Sequence, residues 1–583
     1  MLQHEATSDD IASNPATDRH INEVIATRVS RRSVMGGGLA AAAAFLAGGK
    51  LFGGVATAAP GNGTGNGRSG AHAGTDALLG FSAIPLGFGD EVVVPAGYTA
   101  TPFLPWGTPI LGSYPAYKPG TPPLVPDGNT ADDQAQQMGS DHDGMHFFPL
   151  GRGPSGSEHG LLVVNHEAVE ESYLHTGTTT RPTREQYTAD MVRKSQNAHG
   201  VAVVEIRRNA AGEWELVRGR YNRRITANTP MAISGPAAGH RLMTTSADPA
   251  GRTVLGTVNN CAHGFTPWGT YLTCEENFNG YFRLDPGAYT PEQQALNSRY
   301  GIGGDRNNWT THDDRFVVTA DEPNEPNRFG WVVEIDPFDP TSTPVKRTAL
   351  GRMKHEGAFV HTATGGRAVV YLGDDQVNEY VYKFVSSANA RSLQARGRSP
   401  LDEGTLYVAK FNDDGTGEWL PLVHGHGPLT AANGYADQGG VLVKTRLAAT
   451  ALGATPMDRP EWTSVDPNTG LVYLTLTNNT SSAKQVNAAN PRKPNPWGHI
   501  IRWEEAGGDH AATTFTWDLF VLAGPGDGVD GSTIEGDDAF GSPDGLWIED
   551  PPPDRSPRVG GNHVSDGGAA GENPAFVHRR VQA

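Results

Sequence analysis

The feature that most constrains the fold of this chain is a two-strand segment that recurs about every hundred residues. In two clear copies, Glu356 and Glu461 each begin an apolar strand, and a tight turn leads to a second strand that ends in polar residues. Two further copies begin at Asp143 and Cys261, and a weaker one begins at Asp544. The start of one hairpin strand lies beside the end of the next, so the polar residues of each copy share an edge. If the copies are equivalent, these edges converge on one site; otherwise the polar residues only form turns.

The strand pattern predicts an all-β fold. Beyond residue 80, apolar residues alternate with a period of two more often than with the helical period. The 74 glycines and 42 prolines favour turns over long helices. A few helices are expected between the strands, one of them over residues 182–196. We predict strands over 160–165, 200–206, 253–258, 315–319, 330–335, 368–372, 380–384, 405–411, 471–476, 499–503 and 514–522. Many short antiparallel strands of this kind indicate a propeller or stacked sandwiches.

The N-terminal region is typical of an export signal. Arg31 and Arg32 precede a weakly apolar run over 36–52, and residues 55–59 offer the small side chains of a cleavage site. A paired arginine in this position indicates the twin-arginine route, which exports folded proteins and so suggests a bound cofactor. The alternative is an anchor helix, although the run is short for a membrane span. We predict a signal peptide over 1–59, a flexible linker over 60–79 and a single repeat-built domain over 80–583.

Charge and cysteine content exclude several classes of protein. The net charge of −18 argues against a nucleic-acid partner. Two cysteines are too few for a disulfide scaffold. The sequence contains no nucleophile elbow, Walker loop, dinucleotide fingerprint or His-Glu-x-x-His motif, which disfavours acyl or hydride transfer without a metal or other cofactor.

The polar residues of the repeated segments are suited to metal binding. Carboxylate and amide oxygens suit calcium, whereas a thiolate among carboxylates suits a transition metal such as iron. Cys261 can serve as such a ligand, although a disulfide with Cys274 or a simple buried thiol is an alternative. Arg459 stands two residues before Glu461, and its guanidinium can grip phosphate oxygens in a fork, although a surface ion pair has the same pattern.

One long stretch carries a resemblance to a known family. Residues 259–278, Asn-Asn-Cys-Ala-His-Gly-Phe-Thr-Pro-Trp-Gly-Thr-Tyr-Leu-Thr-Cys-Glu-Glu-Asn-Phe, resemble the signature of the PhoX alkaline phosphatases. Further blocks similar to that family occur in the expected order at 141–145, 164–167, 354–357, 373–375, 459–461 and 542–546. The resemblance covers nearly all of residues 80–583. It implies a six-bladed β-propeller with an axial site that holds two ferric ions (Fe3+) and three calcium ions (Ca2+), joined by a bridging oxo group.

The resemblance also assigns roles to individual residues. Cys261, Glu356 and Glu461 match metal ligands, the first two at iron. Arg459 matches a contact to the substrate phosphate, and Lys354 is a second candidate for phosphate binding. We count Arg459, Glu356 and Cys261 as catalytic. Further candidate ligands are Glu275, Glu276, Asn277, Asp374, Asp375, Asp143 and Glu167, with His166 beside them.

The expected function is that of a secreted, metal-dependent alkaline phosphatase. It would hydrolyse phosphomonoesters, and some diesters, to release inorganic phosphate without a serine or cysteine nucleophile. The alternatives are a calcium-dependent propeller lactonase, a sugar dehydrogenase, or a binding propeller that uses calcium only to stiffen its loops. We expect a monomer without a stable membrane anchor, exported by the twin-arginine translocase to the periplasm, the cell surface or the medium.

Overall fold

The computed structural model describes residues 92–112, 130–151, 153–176, 180–526, 528–534, 540–548 and 575–578. The predicted signal peptide and linker lie outside these residues, so both stay predictions. None of the described helices is long and apolar enough to cross a membrane.

Strands make up most of the regular structure, as predicted. They are β1 (His142–Pro149), β2 (His159–His166), β3 (Gly200–Arg208), β4 (Trp214–Val217), β5 (Arg223–Ile225), β6 (Pro230–Ser234), β7 (Thr253–Leu255), β8 (Asn260–Phe265), β9 (Tyr271–Glu275), β10 (Arg283–Leu284), β11 (Val317–Val318), β12 (Val332–Ile335), β13 (Val345–Arg347), β14 (Phe359–Thr362), β15 (Arg367–Gly373), β16 (Val381–Asn389), β17 (Gly404–Phe411), β18 (Thr416–Pro421), β19 (Pro460–Val465), β20 (Val472–Leu476), β21 (His499–Glu505), β22 (Thr514–Leu522), β23 (Gly545–Ile548) and β24 (Ala575–His578).

The helices are short and lie in the connections between strands. The α-helices are α1 (Ala131–Gln134), α2 (Glu171–Thr176), α3 (Ala189–Ala198), α4 (Pro291–Tyr300), α5 (Ala390–Gln394), α6 (Gln438–Val443) and α7 (Thr445–Leu452). Short 3-10 turns occur at Gly153–Glu158, Arg184–Gln186, Arg241–Met243, Phe278–Tyr281, Trp309–Thr311, Asp314–Phe316, Glu325–Arg328, Thr348–Leu350, Thr364–Gly366, Ala431–Asn433, Ala506–Gly508 and Val529–Gly531.

Three predicted elements differ from the structure. The strand predicted over 253–258 ends at Leu255, just before Gly256 with its φ of 86°. The helix predicted over 182–196 begins only at Ala189, because the Thr188 hydroxyl accepts the Met191 N–H and caps the helix there. The strand predicted over 315–319 is reduced to β11, because Asp313 accepts the Arg315 N–H and starts a 3-10 turn just before it.

The sheets are arranged as in a propeller. A five-stranded sheet joins β1 to β5, a six-stranded sheet follows the order β7-β6-β13-β12-β9-β8, and a nine-stranded sheet runs from β14 to β19. In the nine-stranded sheet, β18 pairs with β22 only over Thr416–Glu418 and so joins two four-stranded units, β14–β17 and β19–β22. The end strands pack in sequence, β1 on β8, β8 on β14, β14 on β19 and β19 on β23. The end strands therefore surround a common axis. The predicted number of blades, six, stays a prediction.

Strand β15 shows how each sheet is held between its neighbours. Val370 and Leu372 pack into one hydrophobic core, whereas Val369 and Tyr371 pack into a second core on the opposite face. Successive side chains of a strand point to opposite faces, so a strand between two packed sheets is apolar throughout. This explains why the strand predictions from apolar runs were accurate here.

Glycines allow the end strands to approach one another closely at the axis. A Cβ atom on Gly264 of β8 would overlap the carbonyl oxygen of Ala358, just before β14. A Cβ atom on Gly373 of β15 would overlap the carbonyl oxygens of Pro460 and Glu461 in β19. The axial spacing of the sheets therefore depends on the absence of side chains at these positions.

We expect Gly264→Ala to lower the free energy of unfolding by about 1–3 kcal/mol, since the backbone of β14 must move to relieve the overlap. Gly440→Ala is the matched control, because its Cβ atom would meet its neighbours at an ordinary 3.6 Å within α6. Thermal unfolding of both variants checks this. Equal midpoints for Gly264→Ala and Gly440→Ala would show that close approach is not required.

Candidate metal centre

Backbone irregularities at the starts of the end strands place the candidate ligands at the axis. The pairing register shifts between His142 and Met145 in β1, between Asn260 and His263 in β8, and between Pro460 and Thr463 in β19. Such bulges turn side chains out of the regular alternation. The residues within these three bulges include Asp143, Cys261 and Glu461.

A second backbone feature recurs two residues before each of four candidate ligands. Asp141, Asn259, Arg459 and Ser542 all adopt positive φ angles, between 43° and 57°. They precede Asp143, Cys261, Glu461 and Asp544, respectively. A left-handed residue is unfavourable for side chains other than glycine, asparagine and aspartate, so its recurrence indicates a backbone shape that the site requires.

The candidate ligands form three linked clusters in the described part of the chain. The first contains Asp143, Glu167 and Cys261; the second contains Cys261, Glu276 and Glu356; the third contains Glu356, Glu461 and Asp544. Within each cluster, one potential ligand atom of each residue lies within 4.8 Å of the others. Because Cys261 and Glu356 each belong to two clusters, the three groups form one continuous site.

Hydrogen bonds hold the clusters together. The Cys261 thiol donates to Oε1 of Glu356 over 2.9 Å. The Asn259 amide donates to Oε1 of Glu167 and to Oε2 of Glu276, both over 3.2 Å, and so joins the first and second clusters. The hydroxyl of Thr477, at the far end of the β19–β20 hairpin, donates to Glu461 over 2.5 Å. The β1–β2, β8–β9 and β19–β20 hairpins therefore contribute side chains from both of their ends, as the repeated segments predict.

Two buried cationic side chains lie beside the clusters. Arg459 donates from Nε and Nη2 to the carboxylate of Asp375, over 2.8 and 2.6 Å respectively. The same Nη2 atom lies 3.6 Å from Oε1 of Glu461. Lys354 donates from Nζ to the amide oxygens of Asn277 and Gln376, each over 2.6 Å. Both are less than one-tenth exposed. Positive charge is thus fixed next to the candidate metal positions.

The electrostatics of the clusters favour cation binding. Burial first, and then the neighbouring carboxylates, raise the pKa values of Glu356 and Glu461 well above their usual range. Burial and the carboxylates of Asp143 and Asp375 raise the pKa of Asp544 to about 7, and burial together with Asp143 raises the pKa of the Cys261 thiol. These pKa values are those of a site without bound cations, where charged ligands repel one another. A bound metal ion reverses that preference, so this set of thiol and carboxylate donors fits metal ions.

Four of the predicted ligands, Glu275, Asn277, Asp374 and Asp375, lie outside the three clusters, and Asp375 is the carboxylate held by Arg459. Glu275, the strand neighbour of Glu276, pairs with buried Lys346 over 2.7 Å and also accepts the N–H groups of Gly330 and Trp331. Asp374, the neighbour of Asp375, accepts from Arg446 and from the Lys354 N–H. Their oxygen atoms are thus occupied by protein donors.

The remaining predicted residues are placed around the clusters. Asn277 links Lys354 to Glu276, because it accepts from the former and donates to the latter. His166 contacts backbone atoms of Gly139 and Ser140 with its two ring nitrogens, which places both away from a metal. Cys261 and Cys274 are both free in the structure. Cys274 packs in a hydrophobic core, so the alternative of a disulfide is not realised.

Sequence reasoning overlooked two residues of the site. Asp544 begins the weakest repeated segment, and it was not chosen as a ligand, although it completes the third cluster. Asn259 lies within the signature stretch, and its position two residues before a repeat start, combined with its tolerance of a positive φ angle, is the signal that could have identified it.

An all-β fold with linked thiol and carboxylate clusters beside buried Arg and Lys defines the class of metal-dependent hydrolases that act on phosphate esters. A sequence model of the family "Alkaline phosphatase PhoX" matches residues 79–551, and the chain belongs to this family of phosphatases. The structure of Pseudomonas fluorescens PhoX in complex with vanadate, a transition state analogue, is similar at 44% identity and a TM-score of 0.73. The match covers 80% of this chain and 81% of that chain.

Among curated protein sequences, none matches the chain. Membership in the family favours a phosphatase over a lactonase, a sugar dehydrogenase or a binding module.

Adjacent glutamates should behave differently when they are replaced. Glu275→Ala leaves the Lys346 charge buried without its partner, and we expect it to lower the free energy of unfolding by about 3–5 kcal/mol. Glu276→Gln should retain stability but reduce bound metal, because it removes charge from the second cluster. Thermal unfolding and elemental analysis of both proteins distinguish the two roles. Loss of metal from a folded Glu275→Ala protein, with full retention in Glu276→Gln, would reverse the assignment.

The metal-free protein should lose stability as the pH rises. The pKa of Asp544 is about 7 in the folded protein, above its value of about 4 in an unfolded chain. Its contribution is therefore complete below pH 4 and lost as the pH rises through 7. We expect the unfolding temperature of chelator-treated protein to fall between pH 5.5 and 8.5. Asp544→Asn should reduce that fall, and an unchanged pH dependence in this variant would contradict the assignment.

Proposed function

We propose that this phosphatase is an exported enzyme that uses iron and calcium to hydrolyse phosphomonoesters and some diesters at alkaline pH. The observation that carries the proposal is the chain of three linked ligand clusters beside the buried side chains of Arg459 and Lys354. Similarity to a PhoX whose structure is a complex with vanadate, a transition state analogue, supports a site for a phosphoryl group in this protein.

The donor types support a division between two kinds of metal. The first and second clusters contain the Cys261 sulfur, which suits iron, whereas the third contains only the carboxylates of Glu356, Glu461 and Asp544, which suit calcium. We propose that these residues, with Asp143, Glu167 and Glu276, hold two ferric and three calcium ions. Glu275 and Asp374 would support the site through their ion pairs with Lys346 and Arg446.

The side chains of this protein would bind and orient the phosphate group. When bound, the metal ions supply Lewis acidity that neutralises phosphoryl oxygens and activates water for attack. Asp375 holds the Arg459 guanidinium in place through two hydrogen bonds. The guanidinium would then stabilise the negative charge that develops on the phosphoryl oxygens without first having to reorient. Asn277 and Gln376 hold the Lys354 ammonium through neutral amides. Cys261 would serve as a ligand, since its sulfur belongs to both the first and the second cluster.

Export by the twin-arginine route agrees with a site built from distant strands. The ligands come from β1, β8 and β19 and from the segments before β14 and β23, so they meet only in the folded protein. We propose that the chain folds before export, acts as a monomer in the periplasm, at the cell surface or in the medium, and takes phosphoester substrates rather than nucleic acid.

The direct test is hydrolysis of p-nitrophenyl phosphate at alkaline pH before and after chelation, together with elemental analysis. Arg459→Lys keeps the charge but loses the fork, so we expect kcat/KM to fall by about 10²–10³-fold with metal content unchanged. Arg502→Lys is the matched control, because Arg502 makes a similar fork to Asp518 on an exposed surface. Metal-loaded protein without phosphatase activity, or equal effects of the two variants, would overturn the proposal.

A further inference from the structure

The carboxylate of Glu356 is the centre of the site, because it belongs to both the second and the third cluster. Its Oε1 atom accepts two side-chain hydrogen bonds, from the Cys261 thiol over 2.9 Å and from the Trp462 indole N–H over 3.3 Å. Once Cys261 binds a metal as a thiolate, it no longer carries a proton to donate. Among the side chains that the structure describes, Trp462 is then the remaining donor to Glu356.

The backbone presents Trp462 to Glu356 through the bulge in β19. The bulge between Pro460 and Thr463 contains both Glu461 and Trp462, so that one side chain joins the third cluster while the next reaches Glu356. Gly357 follows Glu356 with a φ of 118°, a backbone conformation that favours glycine, and it passes beside the Trp462 backbone.

The indole ring is itself held by packing. It meets His263 edge-on, with ring centroids 5.3 Å apart, and it lines an axial cavity together with Phe359, Leu546 and Trp547. A ring that is fixed on its aromatic face and donates from its N–H edge can hold a carboxylate in one orientation. Trp462 does so without supplying a ligand atom.

We propose that Trp462 is a positioning residue that orients the Glu356 carboxylate, which the second and third clusters share. This inference rests on the proposed metal-dependent function. Its N–H occupies one lone pair of Oε1 and leaves the remaining oxygen lone pairs for metal ions. Loss of such a partner to a metal ligand typically lowers metal affinity by about 10–100-fold. Trp462 therefore acts on metal retention and not on substrate contact.

The test compares Trp462→Phe with Trp547→Phe. The first removes the N–H and keeps an aromatic ring, and the second makes the same change elsewhere in the cavity, near Phe265. Purified metal-loaded proteins are titrated with a chelator, and bound iron and calcium are measured by elemental analysis. We expect Trp462→Phe to release metal at a chelator concentration about 10–100-fold lower than the wild type requires. Trp547→Phe should release metal at the wild-type concentration.

Two further measurements separate positioning from folding. Excess metal should restore kcat in Trp462→Phe with the KM for p-nitrophenyl phosphate unchanged, and both variants should unfold at the same temperature without metal. Equal metal retention in Trp462→Phe and wild type, or equal loss in Trp547→Phe, would overturn the inference. A wild-type protein that binds no metal would overturn the proposed function and this inference with it.

Discussion

Repulsion among buried carboxylates at the axis is the constraint on which the rest of this structure depends. The protein neutralises some of them internally, through the pairs Lys346–Glu275, Arg446–Asp374 and Arg459–Asp375. Around Glu356 and Glu461, burial and neighbouring carboxylates outweigh the nearby positive charge, and the raised pKa values of both groups record that imbalance. Bound cations would remove this repulsion, because like charges in a low-dielectric interior are stabilised only by opposite charge nearby. The same imbalance that makes the metal-free site unfavourable makes it selective for cations.

The fold creates this situation through its backbone rather than through side-chain packing. Glycines bring the end strands close together, bulges turn successive side chains in different directions, and left-handed residues set the approach of each strand. Each device costs stability on its own, since bulges interrupt the ladder of hydrogen bonds and left-handed side chains are strained. Their recurrence at the same place in several sheets is accounted for by the site, and the hydrophobic cores on both faces of the sheets stabilise the whole.

The two sides of the clusters have different chemistry. Arg459, Lys354 and the amide of Asn277 lie where the chain enters or leaves the strands, and they suit a phosphate group. Further along the same strands, the cavity is lined by His263, Trp462 and other largely apolar groups. The pKa of His263 is lowered to about 3 by burial, so this side adds no positive charge at neutral pH. The clusters thus have buried cationic side chains beside the strand starts, and the neighbouring cavity is lined by neutral aromatic side chains.

The sequence by itself determined the all-β class, most strand positions and the chemical types at the site. Apolar alternation locates strands because it depends on local burial, and Cys261, Glu356 and Glu461 stood at the starts of recurrent segments. Only the tertiary structure decided between Glu275 and Glu276, and only it showed that Asp374 and Asp375 are paired with different arginines. Adjacent carboxylates are equivalent in sequence, and which of them faces the axis depends on register, bulges and the cation supplied by a distant strand. For the same reason the place of Asp544 in the third cluster, and the contact of Trp462 with Glu356, became evident only when strands far apart in the chain were brought together.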